Sequence, residues 1–553
     1  TLSSSIFNFN CVVSEESRKG FLRVSKNQKY FEVGDSIFFP VGQNIPWPGD
    51  IWYNDTKTLP HKSYESYLCL ISHFKESGGN YYRMLITPWT YDVEFENLGN
   101  YSRRMDNAWE LDRLIEFSEE QQLKIHFNML LHGVLENPSV YTITNWDWPA
   151  HDSPVYGDKT CVIKEDKGFC YGRELNLKRP IEFFIDEEAK RFYKNKLRYM
   201  IARWGYSTSV GVFELLSEVN NLGQQANLKN TGKGCPNIGT VTVPYHDSSQ
   251  SVPKIVLRWQ NEMAKYIKKE LEHNQHPIAV SYTGKPDISS GDLSYYSPYI
   301  DIATYNAYSY DKNQNKLPRL SNDLNEYRKN KLLISNSTLR KEDSRRSVSL
   351  DKPFMLSEIG SGMSACAQST VWKQSIFLSP FTGVAGTAMP WLNYNNNRDL
   401  WSNFQNVNLF MNAVPLNKNY WVSNYSVSKS NKVEVFSLQD RKSKTVVGAV
   451  NNRTYNYYTM RDSCSSCYCS KIKVNNSLST LESIRTESKE NRVKINKLGR
   501  LNTYSISWYD PLKGEYVSKG ELVKTNWLGQ LKLSYPNLEK DTLPFVYFKL
   551  DKK

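Results

Sequence analysis

The chain has 553 residues, 39% of them hydrophobic, which is enough apolar surface for a sizeable core and more than one typical domain requires. Lys+Arg 70 against Asp+Glu 57 gives +13, a field that gathers acidic or sulfated polysaccharide, nucleic acid or anionic membrane. No basic helix, paired C-x-x-C at zinc-finger spacing or Arg/Gly-aromatic repeat supports nucleic acid, and no run of about 18 apolar residues supports a membrane span.

Residues 18–40 alternate apolar and polar around Asn27 and Gly34-Asp35, the pattern of a hairpin that leads into a buried strand and closes the bottom of a barrel. From there short apolar runs alternate with amphipathic stretches, as in repeated βα units around a parallel sheet. Eight candidate strands follow, over 38–44, 80–87, 124–132, 210–218, 277–284, 300–308, 353–360 and 386–393, the number a closed (β/α)8 barrel needs. Helical periodicity fills 64–77, 108–121, 186–204, 257–272 and 367–379.

Long connections over 133–185, 220–253 and 309–351 follow strand ends, on the face where barrel enzymes keep their chemistry. After about residue 409 the texture changes to short alternating strands over 433–438, 445–450, 504–509 and 545–550. The expected architecture is therefore α/β: a TIM barrel with its hairpin over residues 1–405, and a smaller antiparallel β-sandwich over 406–553.

Two candidate strands end in a glutamate that neither apolar burial nor turn chemistry would select. The fourth runs Val210 to Glu218 and the seventh runs through Ser357-Glu358-Ile359-Gly360. Either glutamate alone is more readily an ion-pair partner; the pair, on opposite strands of eight, can meet across the catalytic mouth. Cleaving a glycosidic bond needs one carboxyl to protonate the leaving oxygen and another to attack the anomeric carbon, about 5 to 5.5 Å apart in retaining enzymes.

Further residues fall at strand ends: Gly42-Gln43-Asn44 with Trp47 after the first strand, Asn80-Tyr81-Tyr82-Arg83 on the second, His132 on the third, Tyr308 on the sixth and Trp391 on the eighth. Over residues 18 to about 400 the pattern resembles clan A of the glycoside hydrolases, nearest in style to the cellulase/mannanase-like family 5. The resemblance implies Glu218 as general acid/base and Glu358 as nucleophile, with Arg83 and Tyr308 supporting the nucleophile and Trp391 as a stacking platform in subsite −1. Asn44, Trp47, His132 and Ser217 join these as expected substrate-binding residues. Two positions depart from the pattern. Ser217 stands where the clan carries an Asn that holds the sugar 2-hydroxyl, and Asn306 stands where the family prefers a His two residues before the Tyr.

Weaker signals have plainer alternatives. His126 reads as a satisfied core histidine. Trp89, Trp146 and Trp148 fit sugar platforms or loop packing equally well. Asp92, Glu94 and Glu96 read as an exposed acidic turn rather than a Ca2+ site. Nine cysteines include Cys161 and Cys170 around one loop and Cys464, Cys467 and Cys469 in one hairpin-like segment, which fits local disulfides in an oxidising compartment. Zinc is the alternative for the second group, but no fourth ligand stands at suitable spacing.

The expectation is a secreted or cell-surface/periplasmic retaining endo-glycanase acting on an anionic or sulfated polysaccharide or oligosaccharide, with neither cofactor nor metal. The basic residues Lys178, Arg179, Lys285 and Arg398 would rim its cleft. A neutral β-glucan or β-mannan hydrolase, an exo-β-glycosidase and a carbohydrate-binding protein are the alternatives. The last has no need for two strand-end glutamates.

Overall fold

The computed structural model describes residues 20–47, 64–87, 91–94, 97–131, 171, 174–175, 177, 182–218, 252–283, 293–308, 352–360, 365–391, 401, 404–428, 433–440, 445–452, 492–496, 498–536 and 545–553. A three-stranded antiparallel sheet opens them: β1 (Leu22–Val24), β2 (Phe31–Val33) and β3 (Ser36–Phe38). Seven parallel strands follow, hydrogen-bonded in chain order: β4 (Gly42–Asn44), β5 (Tyr81–Leu85), β6 (Lys124–Asn128), β7 (Val210–Glu214), β8 (Ile278–Thr283), β9 (Ile302–Tyr308) and β10 (Phe354–Gly360).

The eighth stave is extended chain rather than regular strand. On one side Ala385 N donates to Phe354 O (2.7 Å) and Met389 N to Leu356 O (3.1 Å); on the other, Thr387 N donates to Pro40 O (2.8 Å) and Asn44 N donates to Pro390 O (3.0 Å). Bridges Ile359–Pro390 and Asn44–Trp391 complete the ring. Pro390 offers a carbonyl but no N–H, which interrupts the ladder where a regular strand was expected. Pro40 has the same effect earlier: the expected strand over 38–44 is divided between β3 and β4.

Helices cover the barrel at the expected places. The longest, Glu187–Trp204, starts at Asp186, whose side chain caps Ala189 N at 2.8 Å, and buries Ala189, Tyr193, Leu197, Met200 and Trp204 at three and four spacing. The hairpin sheet sits at the bottom, the end where the strands begin. Phe21 packs edge-on to His276, with ring centroids 5.2 Å apart, and Leu22 lies against Gly211 at the start of β7.

The C-terminal part is an antiparallel sandwich. Its larger sheet runs β11 (Trp421–Val427), β12 (Val433–Asp440), β13 (Val446–Asn452), β18 (Phe545–Lys552), β15 (Thr503–Asp510), β16 (Glu515–Lys524); its smaller sheet pairs β14 (Arg492–Ile495) with β17 (Leu531–Ser534). Period-two alternation divides β18 between two cores. Val546, Phe548 and Leu550 pack with Ile495, Leu531 and Leu533, whereas Phe545 and Tyr547 join the barrel core. Tyr547 donates to Phe377 O (2.8 Å) on the helix Ala365–Leu378, so the sheet is fixed to the barrel wall. The helix Phe404–Asn412 bridges the two: Gln405 N donates to Ser77 O (3.0 Å), and Tyr509 donates to Asn406 O (3.2 Å).

Candidate active site

Charged side chains inside a barrel need partners, because an unpaired buried charge is costly. Arg83, on β5, is fully buried and donates four hydrogen bonds. Nε and Nη2 grip Glu214 Oε2 (2.7 Å) and Oε1 (3.1 Å), while Nη1 reaches Asn44 Oδ1 (3.1 Å) and Glu358 Oε1 (2.5 Å). Burial opposes its charge, but the two carboxylates outweigh that and hold the guanidinium firmly protonated. Burial likewise favours neutral Glu214, yet Arg83 and then His126 hold its carboxyl well below the usual range.

His126 stands with Nε2 3.0 Å from Glu214 Oε2, off the line of a straight hydrogen bond, and Nδ1 2.8 Å from the Tyr81 hydroxyl. Burial lowers the pKa of the imidazole and raises that of the phenol. A protonated phenol donating to Nδ1 assigns the ring proton to Nε2, facing the carboxylate.

Glu358 faces inward because of an irregularity in β10. Leu356 pairs with Tyr305 and Glu358 with Asn306, which leaves Ser357 as an extra residue in the ladder. Strict alternation would send neighbouring residues to opposite faces, yet Ser357 and Glu358 both bond to groups of the interior. Asn44 Nδ2 donates to the bulged carbonyl of Ser357 (2.7 Å) and to Met389 O (3.1 Å), meeting the backbone requirement created there.

Glu218 lies four residues beyond the last regular residue of β7, not at its ladder end. Ser217 N bonds to Leu130 O (3.0 Å) on one side, and Glu218 N donates to Ser281 Oγ (3.2 Å) on the other. These bonds hold Glu218 at φ 50°, a left-handed conformation that costs about 1–3 kcal/mol for a side chain of this kind. Its Oε1 accepts Asn306 Nδ2 at 2.6 Å, and Asn306 Oδ1 accepts the Ser357 hydroxyl at 2.7 Å.

No protein-family model and no curated protein sequence matches the chain. Solved structures do. One, from Bacteroides vulgatus and described as a candidate glycoside hydrolase, superposes with a TM-score of 0.50 at 10% identity, over 98% of this chain and 84% of that one. The two share a fold. A β-1,4-D-mannanase of Cryptopygus antarcticus (TM-score 0.40, 15% identity, 70% of this chain and 94% of that one) and a family 5 mannosidase of Rhizomucor miehei (TM-score 0.41, 13% identity, 71% and 98%) are more distant.

Within the shared fold, Arg83 joins Asn44 and Glu358, and Asn306 joins Glu218 to Ser357, the neighbour of Glu358. Trp391 is half-buried beside Asn44, edge-on to the buried Trp47 with centroids 5.7 Å apart. Ser217 Oγ is buried without a hydrogen-bond partner among the described residues. The backbone of Tyr308 ends β9, but its side chain is outside the described residues, as are His132, Trp89, Trp146, Trp148, Glu96, the four proposed rim cations and the two cysteine groups.

Asp92 and Glu94 do not form an exposed turn. Both are buried: Asp92 pairs with Lys196 (2.6 Å), and Glu94 accepts Tyr171 Oη (2.8 Å) and Gly99 N (2.7 Å), while burial pushes its pKa up to about 7. Sequence reasoning missed Glu214. Its signal was present, since a strand-internal arginine such as Arg83 demands an internal counter-charge.

Proposed function

We propose that the chain is a retaining glycoside hydrolase acting on a β-linked polysaccharide outside the cytoplasm. Glu218 delivers a proton to the leaving oxygen as Glu358 Oε attacks the anomeric carbon and the glycosidic bond breaks. Glu218, now a carboxylate, then takes a proton from water, whose oxygen displaces Glu358 and releases the sugar with net retention.

The observation that carries the reading is the place of Asn306. Its amide bonds to Glu218, and its backbone is the ladder partner of Glu358, so both carboxyls belong to the neighbourhood of one residue. That favours direct attack over the wider gap that inversion reserves for water. Arg83 supports an ionised Glu358 from the other side.

Endo action fits the long connections after the barrel strands, and a polymeric substrate fits a secreted or surface-held enzyme. The +13 balance favours an anionic polymer. Arg83 is not available as counter-ion for a sulfate at the sugar 2-position, because its bonds go to Glu214, Asn44 and Glu358. We therefore assign recognition of anionic groups to subsites beyond −1, with Ser217 Oγ meeting the 2-position. Residues 1–405 supply the catalytic unit and 406–553 the docked sandwich.

The test is digestion of a panel of neutral and anionic polysaccharides, following product size and the anomer first released by NMR. Retained configuration and a ladder of internal fragments are expected, with turnover of the preferred anionic polymer falling as NaCl rises. Inverted product would overturn the mechanism; a flat salt response would favour a neutral glucan or mannan.

A further inference from the structure

The bulge in β10 does more than turn Glu358 inward. Ser357 Oγ, also inside the barrel, donates to Asn306 Oδ1 (2.7 Å), which fixes the amide with Nδ2 toward Glu218 Oε1 (2.6 Å); all three side chains are buried. Without the hydroxyl, the amide could turn and present its oxygen to the carboxyl.

We infer that Ser357 and Asn306 are positioning residues that set which oxygen of Glu218 carries the proton. The inference rests on the glycosidase reading above. An oxygen that accepts an N–H at 2.6 Å is the poorer site for a proton, so the proton is directed to Oε2. The amide remains a donor to Oε1 when Glu218 becomes a base, so one arrangement serves both halves of the reaction. Because the relay starts at the residue next to Glu358, the bulge places the nucleophile and orients the acid together.

The consequence is selective. A misoriented acid matters when the leaving group needs a proton and matters little when it departs as a stable anion. Asn306→Ala should therefore lose about 10- to 100-fold in kcat/KM on an unactivated oligosaccharide, but under about threefold on an aryl glycoside with an activated leaving group. Ser357→Ala, which removes one oxygen and leaves the fold's packing in place, should lose about three- to tenfold with the same bias.

Both variants are assayed on both substrates beside wild type and Glu218→Ala, with Tm recorded for each. Equal losses on the two substrates, or no loss, would overturn the relay if Glu218→Ala still discriminates between them. If Glu218→Ala shows no discrimination either, the assignment of the acid itself falls.

Discussion

The two ends of this barrel both bury titratable groups and treat their charge differently. At the bottom, His276 and Lys352 bond to backbone carbonyls and are driven toward neutrality. His276, stacked on His273 and 3.0 Å from Ser207 O, is lowered by burial to about 3; Lys352, bonded to Ser297 O and Ile300 O, is lowered by burial to about 7. At the mouth, burial is overcome. Arg83 lies between two carboxylates, which hold its guanidinium protonated, and it in turn holds Glu214 ionised. A carbonyl offers only part of a charge, so it cannot replace hydration of an ion; an opposite full charge at hydrogen-bond distance can. The bottom is built to hold shape and the mouth to hold charge.

The largest expected effect lies at the mouth. Glu358→Ala should lose at least about 10⁴-fold in kcat on every substrate, because the proposed mechanism forms its glycosyl intermediate on that carboxylate alone. Glu218→Ala should keep activity on an activated aryl glycoside and gain from added azide. Identical behaviour of the two variants in steady-state assays would contradict the division of roles.

Arg83→Met should cost about 3–5 kcal/mol in denaturant unfolding, since it strands buried carboxylates, and should abolish activity. Lys352→Met, at the other end, should cost about 1–3 kcal/mol for the carbonyls left unbonded while kcat/KM stays within about twofold. Comparable activity losses from both would erase the distinction between the ends.

Acid should expose the two ends in sequence. The folded pKa of His276 is depressed, so its neutral form favours folding above the unfolded value of about 6.5 and that contribution is lost as pH falls below it. Glu214 follows below about 4.3, where protonation of the unfolded chain removes the advantage of its ion pair. Stability measured between pH 7 and 5 should therefore fall less steeply in His276→Gln than in wild type. Parallel curves would remove His276 from the account.

Much of this was legible beforehand because it depends on period and polarity. Apolar runs at strand length gave the staves, and apolar residues at three and four spacing gave the helix over 186–204. The two glutamates stood out as charges where apolar residues belong. What escaped the sequence depends on register. An extra residue at Ser357 reverses the facing of Glu358, and no alternation pattern announces it. Asn306 was visible as a departure from the family pattern, but its bond to Glu218 exists only once β9 and β10 are paired. Glu214 and Arg83 lie 131 positions apart, and their pairing is fixed by strands that meet only in the closed ring.

The smallest expected effect is at Ser217. Its buried hydroxyl has no hydrogen-bond partner among the described residues, so Ser217→Ala should leave Tm unchanged or slightly higher while kcat/KM falls. A fall in Tm without loss of activity would make the residue structural.

In the proposed mechanism Glu358 carries the sugar. An activated 2-deoxy-2-fluoro glycoside of the preferred substrate should form a covalent adduct, located by mass spectrometry of peptides. A label on Glu358 is predicted. A label on Glu218 or Glu214, or turnover with inversion and no adduct, would contradict the account.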